Sequence, residues 1–304
     1  MSEHIVHTGV VEDSFALTQY LSDVPDDIKN AMREYVNYAR LGSITVAGDQ
    51  FSFRLLEEFR PEWKNRDEIL EAKFAFVMGW ISHRACDRQM KPIWAVAEMK
   101  GRGTDADPSL SPTECSVYHE GRLYNLYYAG DTTFKYAIFK EELEKFPGSD
   151  LFDLDELANY MEGSFAANMM NIQTFAPPPD DQRFIEDVCM RSQKFYVDVN
   201  RYKKAAGNPD TKQLHDFVLD INWYDENDEI VGIAKKLRNG GVSSPDECDK
   251  VLECEPASYY GKALWHSLQY FITVAEYYKD HSMSIAELKN RLDIGKKGPG
   301  GLGV

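Results

Sequence analysis

Cysteine is scarce, and its few copies form no pattern. Five occur, at Cys86, Cys115, Cys189, Cys248 and Cys254. The count is odd and no two are spaced as CxxC, which argues against a disulfide framework and for a reducing compartment. Long apolar runs are missing as well: no stretch approaches the ~18 residues that a transmembrane helix requires. The first residues, MSEHIVHTGVVEDSF, carry neither a cationic n-region nor an apolar h-region, so no signal peptide is expected. These absences lead us to expect a cytoplasmic chain without a transmembrane segment. Positive charge is in deficit too, since 34 Lys and Arg stand against 50 Asp and Glu, a net charge of −16. A field this acidic disfavours nucleic acid and anionic membranes as general partners, while leaving room for a local cationic site. It favours capture of metal cations, although most of the carboxylates must be solvated surface. Strand signals are sparse, and no hairpin turn sits between alternating runs.

What is present is helical. Hydrophobic residues make up 43% and charged residues 28% of 304 residues, enough for a sizeable core and against global disorder. Asp26 and Asp27 open a segment with Ile28, Met32, Tyr35, Val36 and Ala39 at helical spacing. Residues 66–87 read as a long helix whose middle (Phe74, Phe76, Val77, Met78, Trp80, Ile81) is apolar nearly all round, as in a helix buried on every side. Pro92 is expected to stop it. Ser111-Pro112-Thr113-Glu114 is a helix start, with Val117, Tyr118, Leu123, Tyr124 and Tyr127 following. Further helices are expected at about 135–146, 153–172, 180–206, 211–238 and 257–280, and a short one from Ser284. The expected fold is an all-α, multi-helix bundle in one domain spanning 1–304. Pro177-Pro178-Pro179 marks a subdivision near 175–180, and the Gly-rich residues 295–304 form a flexible tail.

Of seven histidines, His83 is the most informative. It stands in GWISHRACDRQMKP, four residues before Asp87, and residues i and i+4 share a helix face. A buried carboxylate must be paired or coordinate a metal, and His nitrogen with Asp oxygen at this spacing can hold one cation or two adjacent ones. The plainer alternative is a His–Asp hydrogen bond within a buried helix. Gly79, four residues earlier, permits close helix packing, and Lys91 follows Asp87 by four. Upstream lie the loop LGSITVAGD, ending in Asp49, and His7 at the start of the first helix.

This pattern resembles the zinc-dependent phospholipase C family, the larger group that includes the S1/P1-type nucleases. The His before the first amphipathic helix matches His7. The LG-S/A-x-x-P-D loop matches LGSITVAGD with Asp49, although Ala47-Gly48 replace the proline step. The buried G-x-x-x-H-x-x-x-D helix matches Gly79, His83 and Asp87, and a later helix supplies His119. The resemblance covers about residues 4–128. It implies a metal-dependent phosphate-ester hydrolase of the same helical fold, with His7, Asp49, His83, Asp87 and His119 as metal ligands and zinc as the metal. Asp49 or Asp87 would bridge metals or orient the attacking water. The chain also departs from the family. Lys91 stands where a His commonly precedes the proline, and an ammonium has no lone pair to give a metal. Leu123 replaces the Glu expected four residues after His119; Cys115, Glu114, Glu120 and His266 are the candidates to complete the site. One or two zinc ions are therefore expected rather than three. Lys91 would replace a lost cation and hold a substrate phosphate, or be a solvated lysine at a helix end.

The expected substrate is a small-molecule or lipid head-group phosphate ester. Two rivals stand beside this reading: a non-catalytic helical binding protein that kept the fold, and an iron-dependent oxidoreductase using the same His and carboxylate ligands. His4 and His281 read as surface. His215-Asp216 is a coincidental echo of another hydrolase dipeptide. Tyr118, Tyr124 and Trp94 are candidates to line a cleft. The oligomeric state is left open.

Overall fold

Asp67 starts the longest helix by accepting the Leu70 amide on its side chain at 2.8 Å. From there the chain runs helically through Glu68–Arg102. The computed structural model describes residues 4–44, 49–102, 112–127, 205 and 208–292. Over these the chain forms α1 (His4–Thr18), α2 (Asp26–Glu34), α3 (Val36–Ser43), α4 (Asp49–Glu62), α5 (Glu68–Arg102), α6 (Pro112–Tyr127), α7 (Thr211–Leu214), α8 (Glu229–Arg238), α9 (Pro245–Lys250), α10 (Tyr259–Lys279) and α11 (Ile285–Leu292). Every regular element among the described residues is helical, so the architecture is an all-α, multi-helix bundle. No helix among them is long and apolar enough to cross a membrane.

Two helices form the centre. On α5, Phe74, Ala75, Phe76, Val77, Met78, Trp80, Ile81, Ala85 and Cys86 are all buried, so the helix has no solvent face in its middle. On α1, Ile5, Val6, Val10, Val11, Phe15 and Leu17 are buried, and so are the polar His7, Thr8, Asp13, Ser14 and Thr18. A buried polar residue on such a helix gains from a partner, because an unpaired one costs ~1–3 kcal/mol. Thr18 bonds back to the Ser14 carbonyl at 2.7 Å. Asp13 accepts Arg238 from α8 (Nε 3.1 Å, Nη2 2.7 Å) and the hydroxyls of Tyr127 (3.0 Å) and Tyr260 (2.9 Å). Burial still pushes the Asp13 carboxyl above its ordinary range, opposed by Arg238 and the two tyrosines.

Around α5 pack α3, α10, α1, α6, α2 and α4. The α3–α5 crossing is a close one. A Cβ on Gly42 would stand 2.0 Å from the Phe76 carbonyl oxygen, and one on Gly79 would stand 1.9 Å from that of Ala39. Only glycine on both helices lets the backbones meet there.

Three expectations about the elements are corrected. The segment opened by Asp26 is two helices, because the backbone breaks at Tyr35 (φ −109°, ψ 33°). The expected helix at 211–238 is interrupted. A π-type turn over His215–Leu219 follows α7, and the chain resumes helix only at Glu229. Between them Asp225 takes the Asn227 amide on its side chain at 2.9 Å, a local bond that competes with helix. Pro92 does not stop α5, which continues to Arg102. A proline inside a helix costs ~3 kcal/mol. Met90, Ile93 and Ala97 are buried around and beyond it, and a buried large apolar side chain contributes ~1.5–3 kcal/mol. Packing therefore outweighs propensity. The helices expected at 135–146, 153–172 and 180–206, the proline run at 177–179 and the tail at 295–304 lie outside the described residues.

Candidate metal centre

The first turn of α1 is fixed from α6. The buried carboxylate of Glu120 accepts the Ile5 amide on both oxygens (3.0 and 2.9 Å) and the Val6 amide at 3.4 Å. A negative group at a helix N-terminus satisfies exposed amides and complements the dipole. His7 lies two residues beyond Ile5 on this anchored helix. From α5, His83 and Asp87 project at i and i+4.

The three side chains meet in the core. One ligand atom from each of His7, His83 and Asp87 lies within 4.8 Å of the other two, and all three residues are buried. His7 Nε2 is 3.6 Å from Asp87 Oδ1, and His83 Nε2 is 3.3 Å from Asp87 Oδ2. The two imidazoles stack with centroids 4.1 Å apart at 29°. His83 Nδ1 is 2.7 Å from the Ser43 carbonyl oxygen on α3. A carbonyl only accepts, so Nδ1 carries the proton, and a neutral His83 turns the lone pair of Nε2 toward the carboxylate. A lone pair facing a carboxylate oxygen is stable only with a cation between them, a proton or a metal ion. The glycine contact between α3 and α5 brings Ser43 within reach of the ring.

Asp87 Oδ2 has further neighbours. Lys91 Nζ is 2.8 Å away and Arg84 Nη1 is 3.6 Å away. Burial alone would raise the Asp87 carboxyl, but the facing His83, His7 and Lys91 outweigh it and hold it well below the usual carboxylate range. Lys91 has a side-chain exposure of 30% against 6% for Asp87, so the cluster reaches solvent on the Lys91 side.

The donor set fits a divalent metal. Two imidazoles and one carboxylate leave a fourth position open, as catalytic zinc sites do. With bonds of ~2.0–2.1 Å, neighbouring ligand atoms around a tetrahedral zinc are about 3.3–3.4 Å apart. His83 Nε2 is 3.3 Å from Asp87 Oδ2 and His7 Nε2 is 3.6 Å from Oδ1, each close to that edge, with the two imidazoles on different oxygens of the carboxylate.

Of the candidate ligands, the structure thus brings together His7, His83 and Asp87, with Lys91 against them. His119 is buried elsewhere: its Nε2 is 2.8 Å from the Phe217 carbonyl, and its ring stacks on Trp223 at 4.6 Å. Cys115 Sγ is 3.7 Å from that same nitrogen. Asp49 opens α4, and its side chain, like that of His4, lies outside the described residues. Glu114 is half-buried near the start of α6. His266 contacts Gln89 Nε2 at 3.0 Å and the Lys262 carbonyl at 3.1 Å. His215 pairs with Asp220 at 3.0 Å on the surface, and His281 is exposed. Tyr118 receives the Asp210 amide on its hydroxyl at 2.9 Å. Tyr124 is buried, and Trp94 is half-buried.

Two participants escape sequence reasoning. The Ser43 carbonyl is a backbone atom that no side-chain motif marks. Arg84 sits three residues before Asp87, a spacing that signals a shared face but is common on any helix. No family model, curated protein or solved structure matches this chain.

Proposed function

We propose that this chain is a metal-dependent hydrolase of phosphate esters, resembling zinc-dependent phospholipase C. The observation that carries the reading is the buried His7–His83–Asp87 group, with the His83 tautomer set by Ser43 so that Nε2 faces the carboxylate. His7, His83 and Asp87 would hold the zinc, which when bound would lower the pKa of a water to ~7 and polarise a phosphoryl oxygen. His83 is aimed by the Ser43 carbonyl, and His7 is held by a helix whose amides are anchored on Glu120. Asp87 supplies an anionic ligand, and its second oxygen engages Lys91.

The surroundings favour an anionic substrate. Lys91 and Arg84 stand 2.8 and 3.6 Å from Asp87 Oδ2, so among the described residues two cationic side chains lie beside the site. Arg and Lys are both suited to phosphate oxygens. A small or lipid head-group phosphate ester fits better than a nucleic acid, which the overall acidity repels. Working in the cytoplasm is part of the same reading. Iron with the same ligands is the alternative metal, and would give an oxidoreductase.

The test uses the purified full chain, stripped with a chelator and reloaded with zinc. Zinc-dependent release of p-nitrophenol from phosphate mono- or diesters, lost in chelator and restored by zinc, is the expected result. Hydrolysis that ignores chelator, or no hydrolysis from fully loaded protein, contradicts it. One observation favours a second reading. Lys91 and Arg84 already neutralise Asp87, as they would in a non-catalytic binding protein that kept the fold. In that case the stripped protein takes up no zinc.

A further inference from the structure

We infer that the centre is built for a single metal ion, with the ammonium of Lys91 standing where a second cation would otherwise sit. The inference rests on the metal reading above and concerns how many ions the site accepts.

The argument begins with α5. Had Pro92 ended the helix, Lys91 would have left the ligand face. The helix continues through the proline instead, so His83, Asp87 and Lys91 fall at i, i+4 and i+8 on one face. Lys91 Nζ then lies 2.8 Å from Asp87 Oδ2. At that distance the ammonium donates directly into the oxygen's lone pair.

A carboxylate that bridges two metals needs both oxygens. Here Oδ2 faces Lys91 at 2.8 Å, His83 Nε2 at 3.3 Å and Arg84 at 3.6 Å, and Oδ1 faces His7 Nε2 at 3.6 Å, so the two imidazoles and the ammonium between them take up both oxygens of Asp87. A second divalent ion placed beside Oδ2 would meet the ammonium head-on. Like charges a few ångströms apart repel strongly in a partly buried site. The groups on α6 nearest in sequence to a further ligand are engaged elsewhere. His119 Nε2 bonds the Phe217 carbonyl, and both oxygens of Glu120 hold the Ile5 amide.

The consequence for substrate is a division of labour. The metal side is deep, where His7 and His83 are buried, and Lys91 is the member nearest solvent. An incoming phosphate oxyanion would therefore meet the Lys91 ammonium before it reached the buried His7, His83 and Asp87. Lys91 takes the charge-neutralising role of a second cation.

The test titrates chelator-stripped full-length protein with zinc, reads stoichiometry by elemental analysis after dialysis, and then measures inorganic phosphate binding to the loaded protein by calorimetry. Wild type should bind one equivalent. Lys91→Met should also bind one, with zinc affinity at least about tenfold tighter because a nearby positive charge is gone. The same variant should bind phosphate at least about tenfold more weakly. Lys91→His, which supplies a lone pair in place of the ammonium, should accept a second equivalent. Lys91→Arg keeps the charge and should behave as wild type, which separates charge from any folding defect. Two or more equivalents in the wild type would overturn this inference and leave the metal reading standing. So would Lys91→Met losing its zinc while Lys91→Arg keeps it. Zero equivalents in the wild type would overturn both.

Discussion

Replacing Gly79 by alanine should damage fold and site together, by an amount set by one crossing. The added Cβ would lie 1.9 Å from the Ala39 carbonyl oxygen, 2.6 Å from its carbon and 2.7 Å from the Ala39 Cα. These are backbone atoms of a packed helix, so no side chain can swing away. Non-bonded contacts of this kind stay above 3.0 Å, so α3 and α5 must part by about 1.1 Å at this point. The same crossing holds the Ser43 carbonyl 2.7 Å from His83 Nδ1. A separation of that size stretches the bond beyond any useful length. Overpacking costs ~1–3 kcal/mol and a buried group left without its partner ~1–3 kcal/mol; the better helix propensity of alanine returns ~1 kcal/mol. The net expectation is a loss of about 1–5 kcal/mol. Loosening the hydrogen bond that aims a metal-binding imidazole should also weaken zinc binding about 10–100-fold. Urea denaturation gives the first number and competition with a chromophoric chelator the second. Gly232→Ala is the control, because its Cβ would find only the Glu226 carbonyl oxygen at 3.4 Å. It should be neutral or stabilising by up to ~1 kcal/mol. If the two variants unfold within about 0.5 kcal/mol of each other, or if Gly79→Ala binds zinc as wild type does, the reasoning about the crossing is refuted.

His83→Ala should reduce bound zinc below a tenth of the wild-type occupancy by elemental analysis, and retained full occupancy would show that His83 is not a ligand. Asp13→Ala strips a buried anion from Arg238 and from the hydroxyls of Tyr127 and Tyr260, and should cost about 3–5 kcal/mol in urea unfolding. A loss under about 1 kcal/mol would mean that Glu12, which also pairs with Arg238 at 2.8 Å, suffices alone. Burial holds His266 below the ordinary histidine range. The unfolded chain then binds the proton more tightly, so this group's contribution is present above the unfolded value of ~6.5 and is lost as pH falls through it. Urea midpoints for wild type should drop between pH 7.5 and 5.5 by more than those of His266→Gln; equal drops would remove His266 from the account.

Much of the fold class could be read from the chain, because helical periodicity is a local property. The buried middle of α5 and the starts of α6 and α10 follow from apolar spacing and end signals alone. What could not be read was decided by tertiary contact. Pro92 carries a strong local instruction to stop, and burial of Met90, Ile93 and Ala97 overrides it. The break between α7 and α8 had a signal in the Asp225–Asp228 run, which the apolar pattern on either side masked. At the site, the i, i+4 spacing of His83 and Asp87 was visible on one helix. That His7 joins them from α1 depends on how two helices cross, which no spacing encodes; only the family pattern pointed to it. Ser43 contributes a carbonyl and was invisible. His119 fitted the same pattern, yet its position against Trp223 and Phe217 is set by the segment around residues 217–223, far away in sequence.

The central claim is that two imidazoles and one carboxylate hold a metal ion, and the X-ray absorption spectrum of the zinc-loaded full chain tests it most directly. The account predicts a nearest shell of nitrogen and oxygen only, at about 2.0–2.1 Å, with outer-shell scattering from two imidazole rings. A sulfur neighbour at about 2.3 Å, which would bring in Cys115, or a shell without imidazole scattering, would contradict it.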